Sequence, residues 1–313
     1  MLGTKGLNWM DRQTLAQDLE RKIDGRVLVE APLRHFTTWR VGGPADIMVI
    51  PHSAGDIKAA LLFARENRLP VTVIGNGSNL LVLDGGIRGL VIKPGGGLKS
   101  VSLQEETITA EGGVMLSALA RTALKASLSG LEFAGGIPAT LGGGIMMNAG
   151  AFGQDIGSLI QQVETIDAQG KEQKWLKEQI AFSYRSSSFQ GQDLIILKAV
   201  LRMTPAARED IAARMERNNK VRNKIQPLGS PTAGSVFRNP AGHYAGKLIE
   251  EAGLKGRRIG GAAVSPKHAN FIINCGGATG RDILELIKTI QNRVFEEKGI
   301  KLVPEVLVMG EDG

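Results

Sequence analysis

The first glycine segment, residues 75–79, has the residue types that bind phosphate groups. It reads Gly75-Asn76-Gly77-Ser78-Asn79 and lies between two apolar runs. Glycine lets the backbone approach a ligand closely, so consecutive N–H groups can point at phosphate oxygens. The segment has neither the Gly-Lys-Ser/Thr ending of a P-loop nor the third glycine of a Rossmann fingerprint. By itself it fits a pyrophosphate site and a plain tight turn equally well.

The second glycine segment, residues 133–153, repeats these features further along the chain. It contains Gly136-Ile137-Pro138-Ala139 and then Gly142 and Gly143. Proline beside a glycine pair stiffens a turn, while consecutive glycines leave room for a flat or bulky group against the backbone. Two such segments in one part of the chain favour a binding site for an extended dinucleotide.

The balance of charge favours a small polyanionic ligand. Lys and Arg number 38 and Asp and Glu 31, which gives a formal net charge of +7. Nucleic-acid-binding proteins concentrate basic residues in a stripe with interleaved aromatic residues. Here the basic residues are scattered and aromatic residues make up only 4% of the chain. The densest basic cluster, Arg214 to Lys224, has helical spacing and predicts a solvated helix face, so we expect no nucleic-acid partner.

Hydrophobic periodicity predicts a mixed chain of helices and strands. A length of 313 residues suffices for two domains with separate cores. Helices are predicted over residues 11–24, 53–67, 206–224, 244–252 and 281–297. Strands are predicted over residues 26–31, 71–74, 80–83, 89–92, 107–110, 162–166, 194–203, 271–274 and 306–309. The charged helix at 206–224 predicts the boundary between the domains.

The single cysteine and the lack of targeting patterns predict a cytoplasmic protein. Cys275 has no partner for an internal disulfide, which is typical of a reducing compartment. It ends the apolar run from Phe271, so we interpret it as a buried strand residue rather than a nucleophile. We find no secretory signal and no uninterrupted apolar run of about 18 residues. We therefore expect neither a membrane partner nor, without a cluster of ligating residues, a metal.

Five motifs together resemble one enzyme family. They are Thr38-Trp39-Arg40-Val41-Gly42-Gly43-Pro44-Ala45, Gly75 to Asn79, Gly136 to Gly150, Ser183-Tyr184-Arg185-Ser186-Ser187 and Gly234-Ser235-Val236-Phe237-Arg238-Asn239-Pro240. In this order and spacing they resemble the UDP-N-acetylenolpyruvoylglucosamine reductases, the MurB flavoenzymes of bacterial cell-wall synthesis. The resemblance extends from residue 35 to Glu305. A strand resumes soon after Arg185, as in the family branch that lacks an inserted loop there.

The resemblance implies an α+β fold, with an FAD-binding domain of the vanillyl-alcohol-oxidase (PCMH) type and a smaller α+β substrate-binding domain. We place these domains at residues 31–206 and 207–313, after an N-terminal helix and strand at 1–30. It implies NADPH as reductant and non-covalent FAD, since none of the four histidines lies in a glycine segment. The family usually has glycine where Ala139 stands, so a slightly different loop is expected there. The residues implied to bind FAD are Gly75, Asn76, Gly77, Ser78 and Asn79 for the pyrophosphate, and Gly136, Ile137, Pro138, Ala139, Gly142 and Gly143 for the flavin.

The resemblance also implies a reaction, the reduction of UDP-N-acetylglucosamine enolpyruvate to UDP-N-acetylmuramate in peptidoglycan synthesis. Arg185 would stabilise the enolate, because a guanidinium stays charged and can meet a carboxylate through two hydrogen bonds. Ser235 would protonate the α-carbon, and Glu305 would polarise the carboxylate or assist proton delivery. We expect a monomeric enzyme. The residues implied to bind the UDP-sugar are Tyr184, Asn239 and Lys224, the last also a candidate cation beside Ser235.

Two other functions fit parts of the sequence. An oxidase of the same flavin fold would act on an alcohol and reoxidise its flavin rapidly with oxygen. The glycine segments lack a histidine, and the trio of Arg185, Ser235 and Glu305 argues against such an oxidase. A nucleotide- or nucleic-acid-binding module would use the basic surplus and show salt-sensitive binding without a flavin.

Overall fold

The computed structural model describes residues 9–313, so the first eight residues of the predicted segment 1–30 lie outside the described residues. The α-helices are α1 (Trp9–Glu20), α2 (Ala54–Glu66), α3 (Leu116–Lys125), α4 (Leu141–Met146), α5 (Arg208–Ile225), α6 (Ala245–Glu251) and α7 (Gly280–Lys298). The strands are β1 (Arg26–Pro32), β2 (Pro44–Ile50), β3 (Val71–Val73), β4 (Leu80–Val82), β5 (Ile87–Ile92), β6 (Val101–Gln104), β7 (Thr107–Glu111), β8 (Leu128–Ser129), β9 (Gly150–Ala151), β10 (Gln154–Asp155), β11 (Ile160–Asp167), β12 (Glu172–Leu176), β13 (Phe182–Ser183), β14 (Ser186–Ser187), β15 (Leu194–Arg202), β16 (Thr204–Pro205), β17 (Arg258–Ile259), β18 (Ala262–Val264), β19 (Ile272–Asn274) and β20 (Leu307–Met309).

The elements that periodicity predicts are present, with their ends shifted by a few residues. The helices predicted over 11–24 and 206–224 are α1 and α5. Periodicity misses α3 and α4, and α4 contains three consecutive glycines, which are poor helix formers. It also misses β12, which is mostly exposed and therefore lacks an apolar alternation.

The first compact unit comprises residues up to Val29, Asp46–Asn76 and Arg88–Lys220. It contains an antiparallel sheet of order β12-β11-β15-β7-β6 and most residues of a second sheet, β1-β2-β5-β3. On β15, Leu197 packs in one core with α1 and α2, whereas Leu201 packs in another core with α3. A register shift opposite Glu164 gives β15 one extra residue, so alternate side chains change face between these two leucines.

Capping side chains set the ends of the longer helices. The Ser53 hydroxyl accepts the backbone N–H of Asp56 (3.1 Å) at the start of α2. Thr279 does the same for Asp282 (3.0 Å) at the start of α7, and Gly299 ends that helix with a left-handed φ of +68°. Such contacts satisfy backbone groups that a helix leaves unpaired at its ends. No helix within residues 9–313 is long and apolar enough to span a membrane.

The second compact unit comprises Glu30–Ala45, Gly77–Ile87 and Val221–Gly313. It contains the sheet β17-β18-β19 and the parallel pair β4-β20. One apolar face of α7 packs against these strands. Trp39 is fully buried in the same core, and its indole N–H donates to the Ile272 carbonyl (2.8 Å). Two short segments from the first part of the sequence therefore complete this core.

The two compact units are interleaved in sequence, whereas the predicted domains 31–206 and 207–313 are contiguous. Residues 30–45 and 77–87 belong to the second unit because Trp39 and Leu81 lie in its core. The contiguous division stays a prediction, namely that residues 31–206 bind FAD and residues 207–313 bind the substrate.

Two predictions about single side chains differ from the structure. The prediction that Cys275 is a buried strand residue is wrong, because β19 ends at Asn274 and the thiol is exposed. The backbone turns there, with a left-handed φ of +113° at Gly276. Most of the basic cluster is exposed as predicted, but Arg214 pairs with the buried Glu132 carboxylate (2.8 Å).

Candidate functional site

The first glycine segment presents a run of backbone donors. Its five N–H groups, Gly75 to Asn79, form no hydrogen bond to any acceptor within residues 9–313. Consecutive donors of this kind form an anion-binding concavity. The boundary between the two compact units falls after Asn76, so the two parts of the segment are described with their own units.

In the first unit, Gly75 and Asn76 contact the second glycine segment. The Asn76 amide donates to the Pro138 carbonyl (2.7 Å). A Cβ on Gly75 would lie 2.8 Å from the Thr140 hydroxyl oxygen, closer than real side chains approach, so this position requires glycine. The structure therefore brings the two predicted cofactor-binding segments together at Asn76 and Pro138.

The second glycine segment is held by a hydrogen bond within it and by backbone bonds to Gly112 and Leu116. The Thr140 hydroxyl accepts the Gly143 N–H (3.3 Å), and Gly142 donates to the Gly112 carbonyl (2.8 Å). Ala139 is not among the residues with positive φ, and its carbonyl accepts the Leu116 N–H (2.9 Å). Alanine therefore fits this backbone, and its Cβ needs no special conformation.

In the second unit, Gly77 and Asn79 bind two other predicted motifs. Gly77 has a φ of +65°, and a side chain there would meet the Phe36 carbonyl. Its own carbonyl accepts the Thr38 N–H (3.2 Å). The Asn79 amide donates to the Glu305 carbonyl (3.1 Å). Free donors, together with positions that exclude side chains, fit a bound diphosphate, so both parts of the segment meet the chemical needs of FAD.

Arg185 lies at the turn of the β13-β14 hairpin with a left-handed backbone. Its φ is +55°, and its guanidinium carbon lies 5.1 Å from the centre of the Tyr184 ring. The Gln190 amide donates to the Arg185 carbonyl (3.2 Å) and to the Met146 carbonyl (3.0 Å). These bonds connect the Arg185 turn to the last residue of α4, in the second glycine segment. Tyr184 is 55% exposed and accessible to a ligand.

Ser235 and Glu305 lie on neighbouring backbone segments of the second unit. The Glu305 N–H donates to the Val236 carbonyl (2.7 Å), and Ser235 forms a β-bridge with Phe271. Gly234, just before Ser235, has a φ of +80°. The structure therefore brings two of the three predicted catalytic residues together, and it places Arg185 in the other unit.

Asn270 fixes the backbone that carries Ser235. Its buried side chain accepts the Phe237 N–H (3.0 Å) and donates to the Phe237 carbonyl (2.8 Å). An amide that meets both backbone groups of one residue replaces a missing strand partner. The sequence motifs do not include Asn270. The feature that could have identified it is its position as a polar residue directly before the apolar run that starts at Phe271.

The predicted substrate-binding residues Lys224 and Asn239 differ in their contacts. Lys224 is exposed in the last turn of α5, and its ammonium has no hydrogen bond or ion pair within residues 9–313. The Asn239 side-chain oxygen accepts the Ala245 N–H (3.0 Å) at the start of α6, which leaves its amide group for a ligand. Arg222, which the sequence does not single out, is partly buried, and burial lowers the pKa of its guanidinium.

No group of three or more metal-ligating side chains is found in the described part of the chain. The candidate residues are backbone donors, cations, a hydroxyl and a carboxylate. The backbone donors and glycine positions fit a diphosphate, and Arg185, Ser235 and Glu305 offer a guanidinium, a hydroxyl and a carboxylate.

Comparisons with known proteins identify the family. Residues 45–175 match the model of the FAD binding domain, and residues 226–309 match that of the UDP-N-acetylenolpyruvoylglucosamine reductase C-terminal domain. The reductase of that name from Syntrophomonas wolfei is 45% identical over 287 residues, which cover 92% of this chain and 96% of the relative. The one from Moorella thermoacetica is 45% identical over 305 residues, which cover 96% and 99%.

A solved structure agrees with these matches. The reductase (MurB) from Thermus caldophilus has a TM-score of 0.78 and 35% identity, and the match covers 91% of this chain and 99% of that chain. The predicted resemblance, the flavoprotein fold and the assignment as an FAD-dependent oxidoreductase are confirmed. Since nearly the whole chain aligns with these reductases and both of their characteristic domains are present, it belongs to the UDP-N-acetylenolpyruvoylglucosamine reductase family.

Proposed function

We propose that this chain reduces UDP-N-acetylglucosamine enolpyruvate to UDP-N-acetylmuramate with electrons that NADPH delivers through bound FAD. The observation that carries the proposal is the content of the two matched domains. The FAD-binding match contains both glycine segments, and the C-terminal match contains Ser235, Asn239 and Glu305. The relatives' printed name supports the substrate.

The residues of this chain would divide the chemistry as follows. When bound, FAD would carry the hydride of NADPH to the β-carbon of the enol ether, and NADPH would leave as NADP⁺. The Arg185 guanidinium stabilises the negative charge that develops on the α-carbon and its carboxylate. The Ser235 hydroxyl gives its proton to the α-carbon, which completes addition of two hydrogens across the double bond.

Glu305 and the substrate-binding residues assist Arg185 and Ser235. The Glu305 backbone is bonded to Val236, next to Ser235, and its carboxyl group polarises the substrate carboxylate or assists proton delivery. Tyr184, Lys224 and Asn239 bind the nucleotide. Lys224 and the free amide of Asn239 supply the donors that phosphate and carboxylate oxygens need.

The proposal also includes the predicted monomer and the predicted cytoplasmic location. All the proposed roles are filled by residues of one chain. Analytical ultracentrifugation of the FAD-loaded protein tests the monomer, and a stable dimer at working concentration would contradict it.

A turnover assay with product identification tests the proposed function. NADPH and UDP-N-acetylglucosamine enolpyruvate are mixed with the purified protein, and the product is identified by mass. We expect a nucleotide two hydrogens heavier than the substrate and one NADPH consumed for each product. UDP-N-acetylglucosamine is the matched control, since it lacks only the enolpyruvyl group. Equal NADPH consumption with both nucleotides would contradict the proposal.

A further inference from the structure

Lys93 lies next to the first glycine segment without belonging to it. It follows the last residue of β5, and its backbone N–H donates to the Val49 carbonyl (2.8 Å). Its ammonium donates to the Gly75 carbonyl (2.6 Å). Because Ile74 is bonded to Ile92 (3.0 Å), the backbone on both sides fixes Lys93 beside this loop.

The Lys93 ammonium has no negatively charged partner among the described residues. An ammonium can form three hydrogen bonds, and within residues 9–313 the Gly75 carbonyl is the one acceptor that the Lys93 ammonium contacts. The two residues to which Lys93 donates hydrogen bonds, Val49 and Gly75, have no titratable side chain. The charged residue that acts on the ammonium is Lys99, which is also a cation. Burial and, second, the Lys99 ammonium lower the pKa of Lys93 to about 8.

A lysine is a costly choice if its task is only to hold the loop. A neutral amide or hydroxyl could donate to the Gly75 carbonyl, and it would avoid the free energy that partial burial of a cation without an anionic partner requires. Two free backbone donors of the neighbouring loop, the N–H groups of Gly75 and Asn76, belong to the same compact unit as Lys93. Those donors are neutral, so they hold an anion in place without cancelling its charge.

We propose that Lys93 supplies the positive charge that balances the diphosphate bound by the first glycine segment, an inference that rests on the proposed FAD-dependent function. After its bond to Gly75, the ammonium has two N–H groups left for phosphate oxygens or for water between them. Lys93, which directly follows β5, is thus a cofactor-binding residue that lies outside the five motifs.

Two consequences separate this role from a structural one. Lys93→Met should weaken FAD binding about 10- to 100-fold, the usual effect of losing a hydrogen bond to a charged group. A bound anion raises the pKa of Lys93, so FAD binding at a pH above about 8 requires uptake of a proton. The affinity of the wild-type protein should therefore fall as the pH rises from about 7 to about 9.5. Lys93→Arg should restore tight binding and remove this fall, because arginine stays charged.

The experiment is a titration of apoprotein with FAD, followed by flavin fluorescence at about pH 7 and about pH 9.5. The variants are Lys93→Met and Lys93→Arg, with Lys99→Met as the matched control that removes an exposed lysine nearby. Thermal unfolding of each apoprotein measures structural effects separately. We expect weaker binding and an unchanged or higher melting temperature for Lys93→Met. Lys99→Met should have near wild-type affinity at about pH 7 and a smaller fall at about pH 9.5, because removing the Lys99 ammonium raises the pKa of Lys93.

Three results would overturn the inference, and they differ from failure of the proposed function. Unchanged FAD affinity in Lys93→Met removes the role. A melting temperature that falls in proportion to affinity makes Lys93 a structural residue. If the FAD affinity of Lys93→Arg falls with rising pH as much as that of the wild-type protein, another group is responsible for the titration. Failure of the wild-type apoprotein to bind FAD at all would instead contradict the proposed function, and the inference with it.

Discussion

Arg185 adopts a backbone conformation that is unfavourable for a residue with a side chain. A φ of +55° costs about 1–3 kcal/mol and persists where the surroundings hold it. Here Gln190 bonds the Arg185 carbonyl, and Ser187 bonds Met146 (2.8 Å). These bonds hold the backbone at Arg185 in one conformation, which suits the proposed role of Arg185 in stabilising a developing carboxylate charge.

Ser235 gives the first prediction at the residue scale. Ser235→Ala should leave flavin reduction by NADPH within about twofold of wild type and slow the reaction with the enolpyruvyl nucleotide at least about 100-fold, since it removes only the proton donor. Stopped-flow absorbance measures each half-reaction. Ser230→Ala, a neighbouring serine with no role in the proposal, is the control. Equal slowing of both half-reactions would show that Ser235 is not the proton donor.

The sequence identifies some site residues and hides others for physical reasons. Arg185, Ser235 and Glu305 become candidates through motifs, because single polar residues carry no local signal of chemistry. Lys93 and Gln190 act through partners 18 and 44 residues away, Gly75 and Met146. Such contacts depend on strand pairing and loop paths that local periodicity does not encode.

At the scale of elements, Gln190 connects the β13-β14 hairpin to α4. Gln190→Leu should lower the free energy of unfolding by about 1–3 kcal/mol, because two partly buried carbonyl groups lose a donor. It should also slow the half-reaction with the nucleotide more than flavin reduction, because the Arg185 turn loses its support. Urea denaturation and stopped-flow measurements test both parts. Gln192→Ala is the matched control, and wild-type behaviour of Gln190→Leu would exclude the positioning role.

Glu132 and Arg214 anchor α5 to the short 3-10 helix at Glu132–Gly136. The carboxylate accepts two bonds from Arg214 (2.8 and 3.0 Å) and one from Ser129 (2.8 Å). Burial raises the pKa of Glu132, but hydrogen bonds from backbone N–H groups, Ser129 and Arg214 outweigh it and leave the pKa below 4.5. The stabilisation is therefore complete above pH 4.5 and is lost as the pH falls through the folded-state value.

This linkage predicts the behaviour of Glu132→Gln. The variant should lose about 1–3 kcal/mol of unfolding free energy near neutral pH, since Arg214 keeps a poorer partner. The difference from wild type should shrink below pH 4.5. Urea denaturation across that range measures it. Glu106→Gln breaks an exposed pair with Arg202 and should cost less than about 1 kcal/mol. A loss that does not change with pH would contradict the assignment.

At the scale of the whole molecule, segments from the first part of the sequence complete the core of the second unit. Trp39→Ala should cost about 3–5 kcal/mol of unfolding free energy, because Trp39 is fully buried and bonded to Ile272. Trp9 is 58% exposed, so Trp9→Ala is the matched control and should cost less than about 0.5 kcal/mol. Denaturation with urea compares them, and equal losses would contradict the role of Trp39 in the core.

The sequence predicts elements far better than their assembly. Strand β15 carries an apolar run, β11 carries β-branched residues, and α7 carries an apolar face, so both kinds of element are visible locally. The interleaving of the two units is not visible, because Trp39 meets Ile272 across 233 residues. The three consecutive glycines of the second glycine segment, which resemble a loop in the sequence, also conceal α4.

The central claim is that electrons on the bound flavin pass to the enolpyruvyl nucleotide. The most direct measurement reduces the FAD-loaded protein with one equivalent of NADPH under anaerobic conditions and mixes it with UDP-N-acetylglucosamine enolpyruvate in a stopped-flow spectrometer. We predict that the absorbance of oxidised flavin returns within turnover time and that UDP-N-acetylmuramate forms in equal amount. A flavin that stays reduced with the nucleotide and is reoxidised only when oxygen is admitted would contradict the claim.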